Sequence, residues 1–197
     1  MIRYTASVVV LLLAAVILQQ FLPAFPGFHR ARILVVPLVF LCSAVTTGTP
    51  SMLLLAFLCG FLWDAQNALG PHGGDPDVYT HPVTSLRFGY SILLYAFIGF
   101  IMQGVRPWFR SGRWQFSVPF ACISLFVYLA LEYLLLMFVR GDLAVSAAVS
   151  RQIFLTAALT TLFAPPVFWL LSRLARWCGV EQPTDAAPRA GRYSLPP

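Results

Sequence analysis

The chain has 197 residues, of which 59% are hydrophobic and only 10% charged, with a mean hydropathy of +0.78 and a formal charge of +6. A soluble globular domain of this length needs more polar surface, so that class is excluded. The positive charge comes from arginine alone, and the arginines stand singly at the ends of apolar runs. Such placement marks membrane topology and excludes a nucleic-acid binder, whose basic residues cluster with aromatic ones on a soluble face.

Taken in order, residues 4–22 form the first apolar run, preceded by Arg3. At about 19 residues it exceeds a secretory signal core, and no small-x-small cleavage site follows, so an uncleaved first span is expected. Pro23, Pro26 and Gly27 end it, and His29, Arg30 and Arg32 mark a short connection. Residues 33–49 form the second span, with Pro37 early enough to be tolerated in a first turn. Gly48 and Pro50, with no charge near them, require a tight turn at the membrane surface.

The third run, residues 51–69, carries Ala56, Gly60, Asp64 and Asn67 at spacings that place them on one helix face. The fourth, ending at Pro107, offers a matching stripe of Ser91, Tyr95, Gly99 and Gln103. Small and polar stripes let helices approach closely and keep a carboxylate out of the acyl chains. These two runs are therefore expected to form an antiparallel hairpin. Thirteen residues beyond Ser51, Asp64 lies roughly 20 Å into a core of about 30 Å and needs a partner there. Arg87 and Asn67 are candidates if it is ionised, and Tyr95 or Ser91 if it is protonated.

Between these spans lies a loop dense in glycine and proline that contains His72, Asp75, Asp77 and His81. The residue types suit a metal, but the spacing matches no metal motif and the loop preforms no geometry, so neither metal nor other cofactor is expected. The four cysteines are far apart and read as small buried residues. Arg106, Arg110 and Arg113, with Trp108 and Trp114, make the most basic connection and suit the cytoplasmic interface. Its density decides the orientation, because arginines close to the spans otherwise divide almost evenly, and it puts both termini in the cytoplasm.

Residues 116–139 form the fifth span, with Glu132 inside it, and residues 152–171 the sixth, interrupted by Pro165 and Pro166. That proline pair should kink the helix and free carbonyls for Thr161 or a neighbour to satisfy. The amphipathic remainder, with Arg173 and Arg176, is expected partly along the membrane interface. The whole reads as an all-α integral membrane protein of about six transmembrane helices, with residues 1–178 as the polytopic domain. Residues 179–197 form a cytoplasmic tail, rich in proline and alanine and expected to be disordered.

Asp64 and Glu132 are the acidic residues inside spans, both in the outer half. Two carboxylates could share a proton, bind a cation or do acid-base work, or each could be held by an arginine or a packing hydrogen bond. No nucleotide-binding, nucleophile-elbow or zinc-protease motif occurs, so an enzyme is not expected.

The element G-F-L-W-D-A-Q-N-A-L-G from Gly60, followed by F-G-Y-S-I-L-L-Y-A-F-I-G-F, resembles the bacterial rod shape-determining protein MreD family. Gly60, Asp64 and Gly70 match its glycine, aspartate and turn glycine, and chain length and span number agree across residues 1–178. The loop 71–87 is longer than the family's usual connection. The resemblance implies a non-enzymatic scaffold of the cell-elongation machinery in the bacterial inner membrane, guiding peptidoglycan synthesis. Its partners would be an MreC-like protein, the MreB filament, a SEDS glycosyltransferase and a penicillin-binding transpeptidase. The family's fold is similar to the substrate-binding subunits of energy-coupling-factor transporters, which implies the alternative of a vitamin-like small-molecule binding subunit of an uptake system. Residues expected to pack helices or bind partners are Gly60, Asp64, Asn67, Gly70, Arg87, Gly99, Gln103 and Glu132.

Overall fold

In an apolar run without water, every backbone N–H and C=O has to be satisfied within its own segment, and that requirement selects helix. The computed structural model describes residues 2–22, 31–68, 88–109, 117–140 and 147–179, with backbone only at 67, 68, 106–109, 117, 139 and 140. Among them all regular elements are helical: α1 (Ile2–Phe21), α2 (Val35–Thr46), α3 (Thr49–Ala68), α4 (Tyr90–Phe109), α5 (Ser117–Arg140), α6 (Ala147–Thr161) and α7 (Ala164–Trp177). Two stretches, Ile2–Phe21 and Val118–Phe138, are long and apolar enough to cross a membrane. The pair α6 and α7, bent by 42° at its break, supplies a third crossing if it acts as one span. By length and composition the chain is thus an all-α protein with two or three membrane-crossing helices. The disordered tail expected at 179–197 lies, apart from Gly179, outside the described residues.

At the centre stands α2. Its sequence V-V-P-L-V-F-L-C-S-A-V-T has no polar face, and every residue from Val36 to Val45 is buried. A helix apolar on all sides has to be surrounded, and α2 packs against each of the other six. With 12 residues it is only about 18 Å long. The expected start at residue 33 is therefore corrected to 35, and the end at 49 to 46. The chain reaches α2 through a non-helical segment, residues 31–34, in which Ala31, Ile33 and Leu34 are buried.

Non-helical backbone at this depth needs side-chain partners, and it has them. The Gln19 amide on α1 donates to the Ile33 carbonyl at 2.8 Å and accepts from the Val35 N–H at 2.6 Å. Thr160 Oγ1 on α6 accepts from the Leu34 N–H at 3.1 Å. Pro37 falls in the first turn of α2, where its missing N–H removes little.

α1 and α2 run antiparallel, as do α3 and α4, whereas α7 continues α6 past its 42° bend. At one end Tyr4 donates to Thr46 at 2.8 Å and Thr5 to Ser51 at 3.1 Å, while Gln19 at the other end of α1 holds the start of α2. The turn between α2 and α3 is as tight as expected. Hydroxyls of Thr46 and Thr47 donate to the Ser43 carbonyl in the last turn of α2, and that of Ser43 donates to Phe40 one turn earlier.

The expected kink is present as a 42° bend at Leu162 and Phe163, which leaves Pro165 and Pro166 in the first turn of α7. Thr161 does not serve a carbonyl freed by the prolines, since its hydroxyl donates one turn back to Ala157 at 2.7 Å. The amphipathic remainder, α7, packs one face on the bundle. Ala164, Leu171 and Ala175 are buried against the bundle, and Cys178 Sγ lies 3.6 Å from Ser7 Oγ near the start of α1. Only the outer face of α7 is exposed, with Arg173 between the rings of Trp169 and Trp177 at 5.8 and 6.0 Å. The apolar side packs on α1, α2 and α5.

Candidate functional site

The hairpin of α3 and α4 is the most extensive helix pair among the described residues. Gly60 is the reason the axes come so close, because a Cβ there would fall on the backbone of Ile92. Gly99 plays a softer version of the same part, since its Cβ would meet the thioether of Met52 and the ring edge of Phe40. The two stripes read from the sequence therefore face inward: Ala56, Asp64, Ser91 and Tyr95 are all buried.

Asp64 is 5% exposed, and its Oδ2 accepts the backbone N–H of Gly89 at 2.6 Å. Gly89 stands immediately before α4 with φ of 102°, a conformation that favours glycine. The carboxylate thus caps the positive end of the next helix, where an anion is stabilised by the unsatisfied N–H groups and the helix dipole. Neither Tyr95 nor Ser91 is its partner. Arg87, Gly70 and the side chain of Asn67 lie outside the described residues. Sequence reasoning looked for side-chain partners and missed Gly89, although a glycine directly before an apolar run was the available signal.

Gln103 joins α4 to the first residue of α3 and reaches beyond the hairpin. Its Nε2 donates to the Ala44 carbonyl at 3.3 Å and the Thr47 carbonyl at 3.2 Å, and its Oε1 accepts from Thr49 at 2.9 Å. One side chain on α4 thereby clamps the turn between α2 and α3. The amide suits this work because it offers two donors and an acceptor, and the turn leaves carbonyls open.

Glu132 lies on α5. Its Oε1 accepts the indole N–H of Trp63 at 3.1 Å, which ties α3 to α5. One turn below it, Tyr128 lies 5.1 Å ring to ring from Tyr95, which in turn stands edge-on to Phe40 at 5.0 Å. The hydroxyls of Tyr95 and Tyr128 and the Nε2 of Gln66 are buried and have no hydrogen-bond partner among the described residues.

Beside Glu132 a cavity of about 480 Å³ opens between α1, the segment before α2, α3, α5 and α6. Its polar wall includes Arg32, Gln66, Glu132 and Gln152, and its apolar wall Leu34, Leu129, Leu136 and Ile153. Arg32 makes no ion pair among the described residues. The cavity lies at the end where α1 and α3 finish and α6 begins, opposite the end closed by Tyr4, Ser51 and Gln103. Sequence reasoning found Glu132 but not the cavity, whose residues come from five segments with no shared spacing. Among the described residues no group of histidines, cysteines and carboxylates has the makings of a metal site, and His72, Asp75, Asp77 and His81 lie outside them.

No family model matches the chain, and neither a curated protein nor a solved structure matches it.

Proposed function

We propose that this protein is a non-enzymatic membrane scaffold of the MreD kind, a multi-pass component of the bacterial inner membrane that helps guide peptidoglycan synthesis during cell elongation. The observation that carries the reading is the use made of Gly60 and Asp64, the residues on which the resemblance rests. One lets α3 touch the backbone of α4 and the other caps α4 through Gly89, so the motif stiffens a hairpin. A rigid hairpin is what a scaffold requires, and an MreC-like protein, the MreB filament, a SEDS glycosyltransferase and a penicillin-binding transpeptidase are the partners it would organise.

In this reading the bundle crosses the membrane six times, through α1, residues 31–46, α3, α4, α5 and the bent pair α6 and α7. Adding up to about 13 Å of non-helical chain to the short α2 brings that pass to roughly 30 Å, the thickness of a hydrocarbon core. Both termini then lie in the cytoplasm and the cavity opens outward. Depletion in a rod-shaped host lacking a second copy should produce rounded cells, and re-expression of the parent chain should restore rods. Unchanged shape and growth on depletion would sink the scaffold reading.

A small-molecule capture subunit of an uptake system is the second reading. The cavity favours it, since it is within the size range of small-molecule sites and carries convergent polar groups. An ATPase partner that co-purifies with the protein and supports accumulation of a solute would decide for capture over scaffold.

A further inference from the structure

The cavity joins two opposite charges that do not satisfy one another. Arg32 and Glu132 both line it, yet no ion pair forms between them. Trp63 engages Oε1 of Glu132, leaving Oε2 uncommitted among the described residues. Gln66 adds a buried amide N–H with no acceptor. Between these polar groups Leu34, Leu129, Leu136 and Ile153 supply an apolar surface.

A simple anion meets Arg32 and Gln66 but is repelled by Glu132, and a simple cation faces the reverse conflict. A purely apolar occupant would leave the buried Gln66 N–H without an acceptor and give nothing to Oε2 of Glu132. We propose that the cavity binds a zwitterionic amphiphile, with a primary ammonium directed to Glu132, a phosphate or carboxylate directed to Arg32 and Gln66, and an apolar portion against the leucines. The volume of about 480 Å³ accommodates a small molecule or the head and upper chains of a lipid. Two sources carry this chemistry: a phosphoethanolamine lipid headgroup, and a free amino acid with an apolar side chain.

The site rests on the cavity alone and goes beyond the scaffold reading, since a scaffold can hold such a ligand as readily as a capture subunit. Failure to bind leaves the cell-shape test untouched, and failure of that test leaves a binding result standing.

The experiment uses the full chain in detergent micelles, read by native mass spectrometry and thermal shift. The lipid arm compares phosphatidylethanolamine with phosphatidylglycerol, which lacks the ammonium. The soluble arm compares leucine with N-acetylleucine, which lacks it too. In one arm or the other, the ammonium-bearing probe should bind roughly tenfold or more tightly than its control. Preference in the lipid arm assigns the headgroup, and preference in the soluble arm the amino acid.

Glu132→Gln, which keeps an acceptor for Trp63, should erase the preference for the ammonium while leaving binding of the anionic probe. Arg32→Gln should weaken both probes of the responding arm. Arg32 is exposed and makes no ion pair among the described residues, so this variant folds and keeps the test decisive if Glu132→Gln does not. Absence of ammonium preference in both arms overturns the proposal, and so does parental binding by a folded Arg32→Gln.

Discussion

The two ends of the bundle use their polar side chains differently. At the end that holds the start of α1, side chains close on backbone: Tyr4 on Thr46, Thr5 on Ser51, and Gln103 on both sides of the turn between α2 and α3. At the other end the chain enters α2 without helix, a cavity opens, and Arg32, Gln66 and Glu132 retain bonding capacity. The difference shows that packing an apolar bundle does not by itself seal it. What separates the ends is where the few amides and hydroxyls find carbonyls, because each unsatisfied group in an apolar surrounding is costly and each satisfied one locks two segments together.

The largest effect is expected where the helices that link both ends touch. Gly60→Val places a branched side chain on the backbone of Ile92, which cannot yield as a side-chain tip can, and should destabilise the protein by about 3 kcal/mol or more. Poor recovery of monodisperse protein and a much lower melting temperature in detergent would show it. A variant melting with the parent would mean that α3 and α4 do not meet at this point.

Next, Gln103→Leu removes three hydrogen bonds from the sealed end and should lower stability by about 2–3 kcal/mol. Hydrogen exchange should rise at the turn around Gly48 while the cavity end keeps its parental protection. Equal loosening at both ends would erase the distinction between them.

Asp64 tests the cap. Asp64→Leu strands the Gly89 N–H and should cost about 1.5–3 kcal/mol, whereas Asp64→Asn retains an oxygen acceptor and should lose roughly half of that. The order of the two melting temperatures is the measurement, and an asparagine variant as weak as the leucine one would assign the effect to charge alone.

At the open end, Gln19→Leu leaves the Ile33 carbonyl and Val35 N–H without their partner. Water in the neighbouring cavity can replace part of what is lost, so the expected destabilisation is about 1–2 kcal/mol, smaller than for Gln103→Leu. Faster exchange of the Val35 amide, with the turn at Gly48 unchanged, is the accompanying sign. The smallest effect belongs to Gly99→Ala. Its new methyl meets the flexible thioether of Met52, which can turn aside, so a change of about 1 kcal/mol or less in thermal unfolding is expected. A loss as large as that of Gly60→Val would show the Met52 side chain to be immovable.

The sequence by itself determined the class and the helical periods. Apolar runs without alternation dictate helices, and the four-residue spacing of Ala56, Gly60 and Asp64 against Ser91, Tyr95 and Gly99 put the small and polar faces of α3 and α4 together, because helix periodicity is a local property. The all-round apolar sequence of α2 marked it as the run to be enclosed, but tertiary structure alone decided which elements enclose it. It also decided the partners of the polar residues. Asp64 ends on a backbone N–H of Gly89, Gln103 on carbonyls of a turn more than fifty positions earlier, and Glu132 on Trp63 beside a cavity assembled from five segments. Hydrogen-bond partners are chosen by distance in space, and for a backbone donor or acceptor no side-chain type announces the choice, so a linear pattern carries the demand for a partner but not its identity.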